Sequence, residues 1–143
     1  MLRLFGLMVS MLILVPALER SKPVEKIPEL VKSINAYRAQ HGLQAMKFSP
    51  ELQKAAERHA NDMSRHNSLS HTGTDGSSFV TRARDAGFHM SGGGGEIVAG
   101  GSASEAVRMW SQSPGHNAQM LGNCQYVGAC GVGDYSCAVF GNK

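Results

Sequence analysis

Two histidines and a glutamate are the residues best placed to do chemistry. His71 lies in Leu69-Ser70-His71-Thr72-Gly73, Glu96 follows the glycine run Gly92 to Gly95, and His116 lies in Ser113-Pro114-Gly115-His116. Each sits in turn chemistry, where a side chain can be aimed at a cleft. Two imidazoles and a carboxylate can ligate a metal, move protons or anchor a polar network. Metal ligation needs neutral imidazoles and a carboxylate in tetrahedral reach, with water as the fourth ligand. Residues from separate loops carry no spacing signature, unlike a His-Glu-x-x-His helix. A hydrolase would also need an aimed water and a group that stabilises negative charge. The sequence shows neither, and it has no Gly-x-Ser-x-Gly elbow. His59 falls on an apolar face with Ala56 and Met63, and reads as a core histidine held by a hydrogen bond. His41, His66 and His89 fall near element ends and read as surface residues.

The elements that must position this trio follow from periodicity and caps. A first helix is expected from Ile27 or Pro28, with Leu30, Val31, Ile34 and Tyr37 on one face and Gly42 as its stop. Ser49 and Pro50 open a second helix, whose stripe is Leu52, Ala55, Ala56, His59, Ala60 and Met63 and which fades near Asn67. Ser77 or Ser78 caps a short helix stopped by Gly87, and Phe88 to Met90 reads as extended. The run Gly92 to Gly95 is no phosphate loop, since no lysine-serine pair follows it. Ile97 to Ala99 is a brief apolar run ending at Gly100. Ser102 to Glu105 reads as a capping box before a helix that turns Ala106, Val107 and Trp110 inward. A last helical turn is expected over His116 to Leu121. Two strands follow, Tyr126 to Val132 and Tyr135 to Phe140. The expected class is α+β, a three-layer α-β-α sandwich around a small, mostly antiparallel sheet.

The 143 residues suffice for one domain with one core. Residues 1–17 read as a signal peptide: Arg3 precedes an apolar run that Val15-Pro16-Ala17 closes with small residues. The run is short for a membrane anchor, the competing reading, so no span is expected after cleavage. Residues 18–26 read as a polar linker and 27–143 as the domain, secreted, periplasmic or extracellular. Cleavage after Ala17 removes Arg3 and lowers the formal charge from +3 to +2. That is too weak to suggest nucleic acid as a partner. An exported chain permits disulfides. A two-residue loop at Gly133-Asp134 would oppose Cys130 and Cys137, and the expected bridge joins them, with Cys124 unpaired or replacing one of the two.

Ordered pieces of the chain match a family. They are Ile34-Asn35-Ala36-Tyr37-Arg38, Ala55 through Met63, Leu69 through Gly73, Asp75 through Ser78, Arg82 through Phe88, Gly95 through Gly100, Trp110 through His116, and Val127 through Gly133. In this order and spacing the chain resembles the CAP superfamily of cysteine-rich secretory proteins, venom allergens and plant pathogenesis-related proteins, most of all its short bacterial members. The resemblance implies an exported α-β-α sandwich with a cleft at His71, Glu96 and His116. It implies a binding or interaction domain whose cleft takes a divalent metal, zinc first, with calcium or magnesium as alternatives. It also implies a small apolar ligand, a sterol or lipid, or a protein partner at the cell surface. No catalytic residue is assigned. The alternatives are a metal-assisted hydrolase using the same cleft and a purely structural polar site. Many members carry a second cleft acid, for which Asp75 and Asp85 are the residues available here. The family's asparagine after the cleft glutamate is Ile97 in this chain.

Overall fold

The computed structural model describes residues 26–143. The expected signal peptide, 1–17, and nearly all of the linker, 18–26, lie outside them. Among the described residues no helix is long and apolar enough to cross a membrane.

Helix α1 runs Glu29–Gln40 and buries Leu30, Val31, Ile34 and Arg38 along one face. Strand β1 is only Lys47–Phe48. Helix α2, Pro50–His66, begins where the Ser49 hydroxyl accepts the Leu52 N–H at 3.1 Å, and ends at left-handed Asn67. All six residues of its expected stripe are buried. Helix α3, Phe79–Asp85, is capped by Ser78. Strand β2 is Gly94–Gly100, helix α4 Ala103–Ser111 and helix α5 Pro114–Met120. Strands β3, Tyr126–Val132, and β4, Tyr135–Gly141, close the chain as the expected hairpin.

The sheet order is β1-β3-β4-β2. Only the β1–β3 pair is parallel; β3–β4 and β4–β2 are antiparallel. Strand alternation sends side chains to two cores. Ile97, Ala99, Val127, Ala129, Ala138 and Phe140 pack with residues of α1, α4 and α5. Val98, Cys137 and Val139 pack with residues of α2 and α3. This is the expected α+β sandwich, with helices on both faces of a mixed, mostly antiparallel sheet.

Several local expectations are corrected. The capping box at α4 does not form: the Ser102 hydroxyl binds no backbone N–H and donates to the Glu105 carboxylate at 3.1 Å. Helix α5 starts two residues earlier than expected, because Pro114 fits the first turn, where its missing N–H leaves nothing unpaired. Phe88 to Met90 joins no strand; Phe88 is instead wholly buried under α2. Strand β2 begins inside the glycine run, at Gly94.

The disulfide is corrected too. Cys130 and Cys137 stand opposite in register, yet all three cysteines carry free thiols. A two-residue turn closes on a hydrogen-bonded pair, Val132–Tyr135, and alternation makes Cys130–Cys137 another such pair. Opposed Cβ atoms are farther apart at such pairs than a disulfide prefers. Burial, then the Glu57 charge, pushes the Cys130 thiol up to about 11, and burial pushes Cys137 well above its ordinary value. Since the thiolate is the reactive form, alkylation of Cys130 in the native protein will be slow at neutral pH and will accelerate as pH rises toward 11. Cys137 will label only on unfolding. Intact mass before reduction will be that of three thiols; a mass lower by two hydrogens would overturn this.

Candidate functional site

Glu96 is the centre of a buried polar cluster. It lies on β2 and shares with Val98 the face that looks toward α2, and its side chain is 1% exposed. Its Oε1 accepts from His71 Nδ1 at 3.0 Å and lies 3.8 Å from His59 Nε2. Its Oε2 accepts from Arg82 Nη2 at 2.6 Å and from the Cys137 thiol at 3.5 Å. A desolvated carboxylate needs such a counter-charge, and Arg82, equally buried, supplies it.

The loop between α2 and α3 that carries His71 is tied down from both helices. His59 Nε2–H donates to the Ser70 carbonyl at 2.6 Å, and Arg82 Nη2 donates to the His71 carbonyl at 3.2 Å. Arg82 Nη1 reaches the Ser77 carbonyl at 2.7 Å. Asp62 accepts from the backbone and hydroxyl of Thr74 at 2.9 and 2.6 Å. His71 therefore has a fixed backbone, although its side chain is 58% exposed. A carboxylate only accepts, so Nδ1 of the neutral ring carries the proton and Nε2 keeps its lone pair.

His116 comes from the other helical layer. Helix α5 is fixed by the Tyr37 hydroxyl, which donates to Asn117 Oδ1 at 2.7 Å. The end of the Gln119 side chain packs closely over Gly95. His116 is half-buried, and burial, then repulsion from His71 when that ring is protonated, lowers its pKa. The imidazole is thus held in its neutral form at neutral pH.

The structure brings His71 and Glu96 into direct contact, and His116, from the other layer, is near enough to His71 to feel its charge. Among the described residues no three His, Cys, Asp or Glu side chains converge as a ligand set. Asp75 and Asp85 are not at Glu96. Both pair with Arg58, at 2.8 and 2.9 Å, on the exposed side of α2. His59 is the buried, hydrogen-bonded histidine expected, and its nearness to Glu96 adds it to the site. His41, His66 and His89 are exposed, as expected. Sequence reasoning missed Arg82 and Cys137 as partners of Glu96. One signal was available for Arg82: it lies three residues after Phe79 and beside Ala83, on the inward face of α3.

Two cavities open on the described residues, and one of them borders this region. One, of about 400 Å³, lies on the far side of Arg82 and His59 and is lined by polar side chains such as Arg58, Arg65 and Asp62. The other, of about 550 Å³, lies beyond α1, around Arg38, Lys47 and Gln125.

The family model described as the Cysteine-rich secretory protein family, CAP, matches residues 31–140. An outer surface protein from Borrelia burgdorferi is similar in structure, with a TM-score of 0.69 and 20% identity, over 80% of this chain and 90% of that one. An extracellular protein containing a SCP domain from Bacillus anthracis gives 0.74 and 20%, over 80% of this chain and 39% of that one. A cysteine-rich secretory protein from Staphylococcus aureus gives 0.65 and 18%, over 86% and 41%. The chain thus spans about two fifths of the Bacillus and Staphylococcus proteins. At these identities the likeness is one of fold. No curated protein matches the chain. The family match, which covers most of the chain and both helical layers, settles membership: the chain belongs to the cysteine-rich secretory protein (CAP) family.

Proposed function

We propose that this is an exported CAP domain of the binding type, whose cleft holds a divalent metal between the imidazoles of His71 and His116. One observation carries the reading. Glu96, already neutralised by Arg82, grips His71 at Nδ1 and leaves Nε2 as the lone-pair nitrogen of a solvent-exposed ring. A carboxylate that orients a histidine in this way is the usual outer partner of a metal-bound imidazole. Glu96 is therefore assigned as the positioning residue, rather than as the third ligand the sequence suggested. Two imidazoles with solvent-supplied oxygens suit zinc better than calcium or magnesium, which prefer all-oxygen shells. Such a metal would supply Lewis acidity and an attachment point for an anionic or carbonyl group of a partner.

Export is supported by the residues 1–17 and by the extracellular or surface relatives. Leu69, 54% exposed two residues before His71, offers an apolar contact beside the cleft for a protein partner at the cell surface. A sterol or lipid gains less support, because polar side chains dominate both cavities. Metal-assisted hydrolysis in the same cleft gains less support, because both Glu96 oxygens are already engaged, by His71 and by Arg82, and neither is aimed at an incoming water.

Calorimetric titration tests the reading. Zinc will bind the wild-type domain with a saturable heat and a Kd of about 1 μM, near −8 kcal/mol. His71→Ala and His116→Ala will each abolish most of that heat, and Glu96→Gln will weaken binding by about 10- to 100-fold. Wild-type protein that takes up no zinc at micromolar concentrations overturns the proposal.

A further inference from the structure

The chain holds a second buried arginine that the Glu96 cluster does not use. Arg38, on the inner face of α1, is 6% exposed. A guanidinium has five N–H groups in a fixed fork. In Arg38, Nε–H donates to the Gln44 carbonyl at 2.9 Å, and Nη1 donates to the carbonyls of Met120 and Gly122, each at 2.8 Å. These bonds tie the end of α5 to the loop after α1, and that structural role accounts for three of the five donors. The other two, both on Nη2, have no protein partner among the described residues. Nη2 is not sealed in the interior, as the orphaned Nε of Arg82 is.

Arg38 lines the cavity of about 550 Å³ beyond α1. Lys47 lines it too, and its ammonium makes no ion pair among the described residues, lying 6.0 Å from the centre of the Tyr126 ring. Gln44, Asn123 and Gln125 add amide groups, and no aspartate or glutamate lines the cavity. Burial lowers the Arg38 pKa, and the nearby Cys124 thiol, which also lines the cavity, opposes that shift. The Arg38 guanidinium, immobilised by three carbonyls with Nη2 left free, makes a preorganised donor for negative charge, and Lys47 adds a second positive charge at the cavity wall. We propose that this cavity is an anion site for a phosphate-class oxyanion. The two cations match the charge of a phosphate group, about −1.5 to −2 at neutral pH, better than they match a single carboxylate. The site is separate from the His71–His116 cleft and stands independently of the metal reading.

Inorganic phosphate is the probe, followed by amide chemical shifts of the full domain at constant ionic strength. Saturable shifts are expected at Gln44, Lys47 and Gln125, with a Kd of about 1 mM or tighter. Acetate should bind more weakly. Lys47 is exposed, so its variants should fold; Lys47→Ala should weaken phosphate about threefold to tenfold and Lys47→Glu more than tenfold. Equal shifts with chloride at matched ionic strength, or an unchanged Kd in Lys47→Glu, overturn the proposal. Phosphatidylcholine vesicles with and without phosphatidic acid identify the source of the phosphate. Pelleting that needs phosphatidic acid and is competed by free phosphate assigns a lipid headgroup; phosphate shifts without pelleting assign a free ion. Either result upholds the site.

Discussion

Arg82→Met will lower the stability of the folded protein by about 3–5 kcal/mol, the range seen when one partner of a buried ion pair is removed. The reason lies in what Arg82 does on both sides. Toward the sheet it balances Glu96 Oε2 at 2.6 Å. Toward the loop it holds the carbonyls of Ser77 and His71. Methionine fills the volume and makes none of these bonds, so a desolvated carboxylate and two carbonyls lose their donor together. Arg82→Lys should fall between, because one ammonium cannot serve Glu96 and Ser77 from two separate nitrogens. Denaturant melts of the two variants, with Glu96→Gln and the double variant, measure the coupling. The double variant should be less destabilised than the sum of its singles by more than about 1 kcal/mol, since it leaves no lone buried charge. A loss below about 1 kcal/mol in Arg82→Met would mean that Glu96 does not depend on this guanidinium. The site would then have to be rebuilt around His59 and His71.

Arg82 also shows why the site was only half legible in the sequence. His71, Glu96 and His116 were readable because each sits in a turn or follows one, where polar residues with chemistry draw the eye. Arginine reads as a surface residue unless its helical position is weighed. The positions of Arg38, four residues after Ile34, and Arg82, three after Phe79, put both on buried faces. The long helices and the terminal hairpin were legible because their periodicity and caps are local. Strand β1 was not, because Lys47–Phe48 exists only through parallel pairing with Tyr126 and Val127, far along the chain. The start of β2 was hidden for a similar reason. Gly94 and Gly95 argue against a strand locally, but pairing with Gly141 and Phe140 and the packing of Gln119 override that preference. The cysteine pair marks a different limit. Pattern alone placed Cys130 opposite Cys137 correctly, but whether a bridge can close depends on which kind of pair they form, and that follows from the turn.

Gly128→Ala will destabilise the domain by about 3 kcal/mol, at the upper end for overpacking, although it adds a single methyl. Gly128 lies on β3 on the face toward α2, and a Cβ there would overlap the backbone nitrogen of Gln53 and the carbonyl carbon of Leu52. Backbone cannot rotate away as a side chain can. Nor can α2 slide, because its start is fastened on both sides of Gly128. The Ser49 N–H donates to the Val127 carbonyl at 3.0 Å, and the Ala129 N–H donates to Gln53 Oε1 at 2.9 Å. Relief of the overlap must strain or break one of them. Calorimetry should show a melting temperature about 10 °C lower. Because α2 also carries His59, which holds the Ser70 carbonyl beside His71, the same shift should reach the cleft and weaken zinc binding in the molecules still folded. Gly115→Ala is the matching control. A Cβ there meets nothing within 4 Å, so in the first turn of α5 it should be neutral or stabilise by up to about 1 kcal/mol. If both variants melt within about 2 °C of wild type, α2 is not seated on β3 as closely as described, and the placement of His59 against Glu96 fails with it.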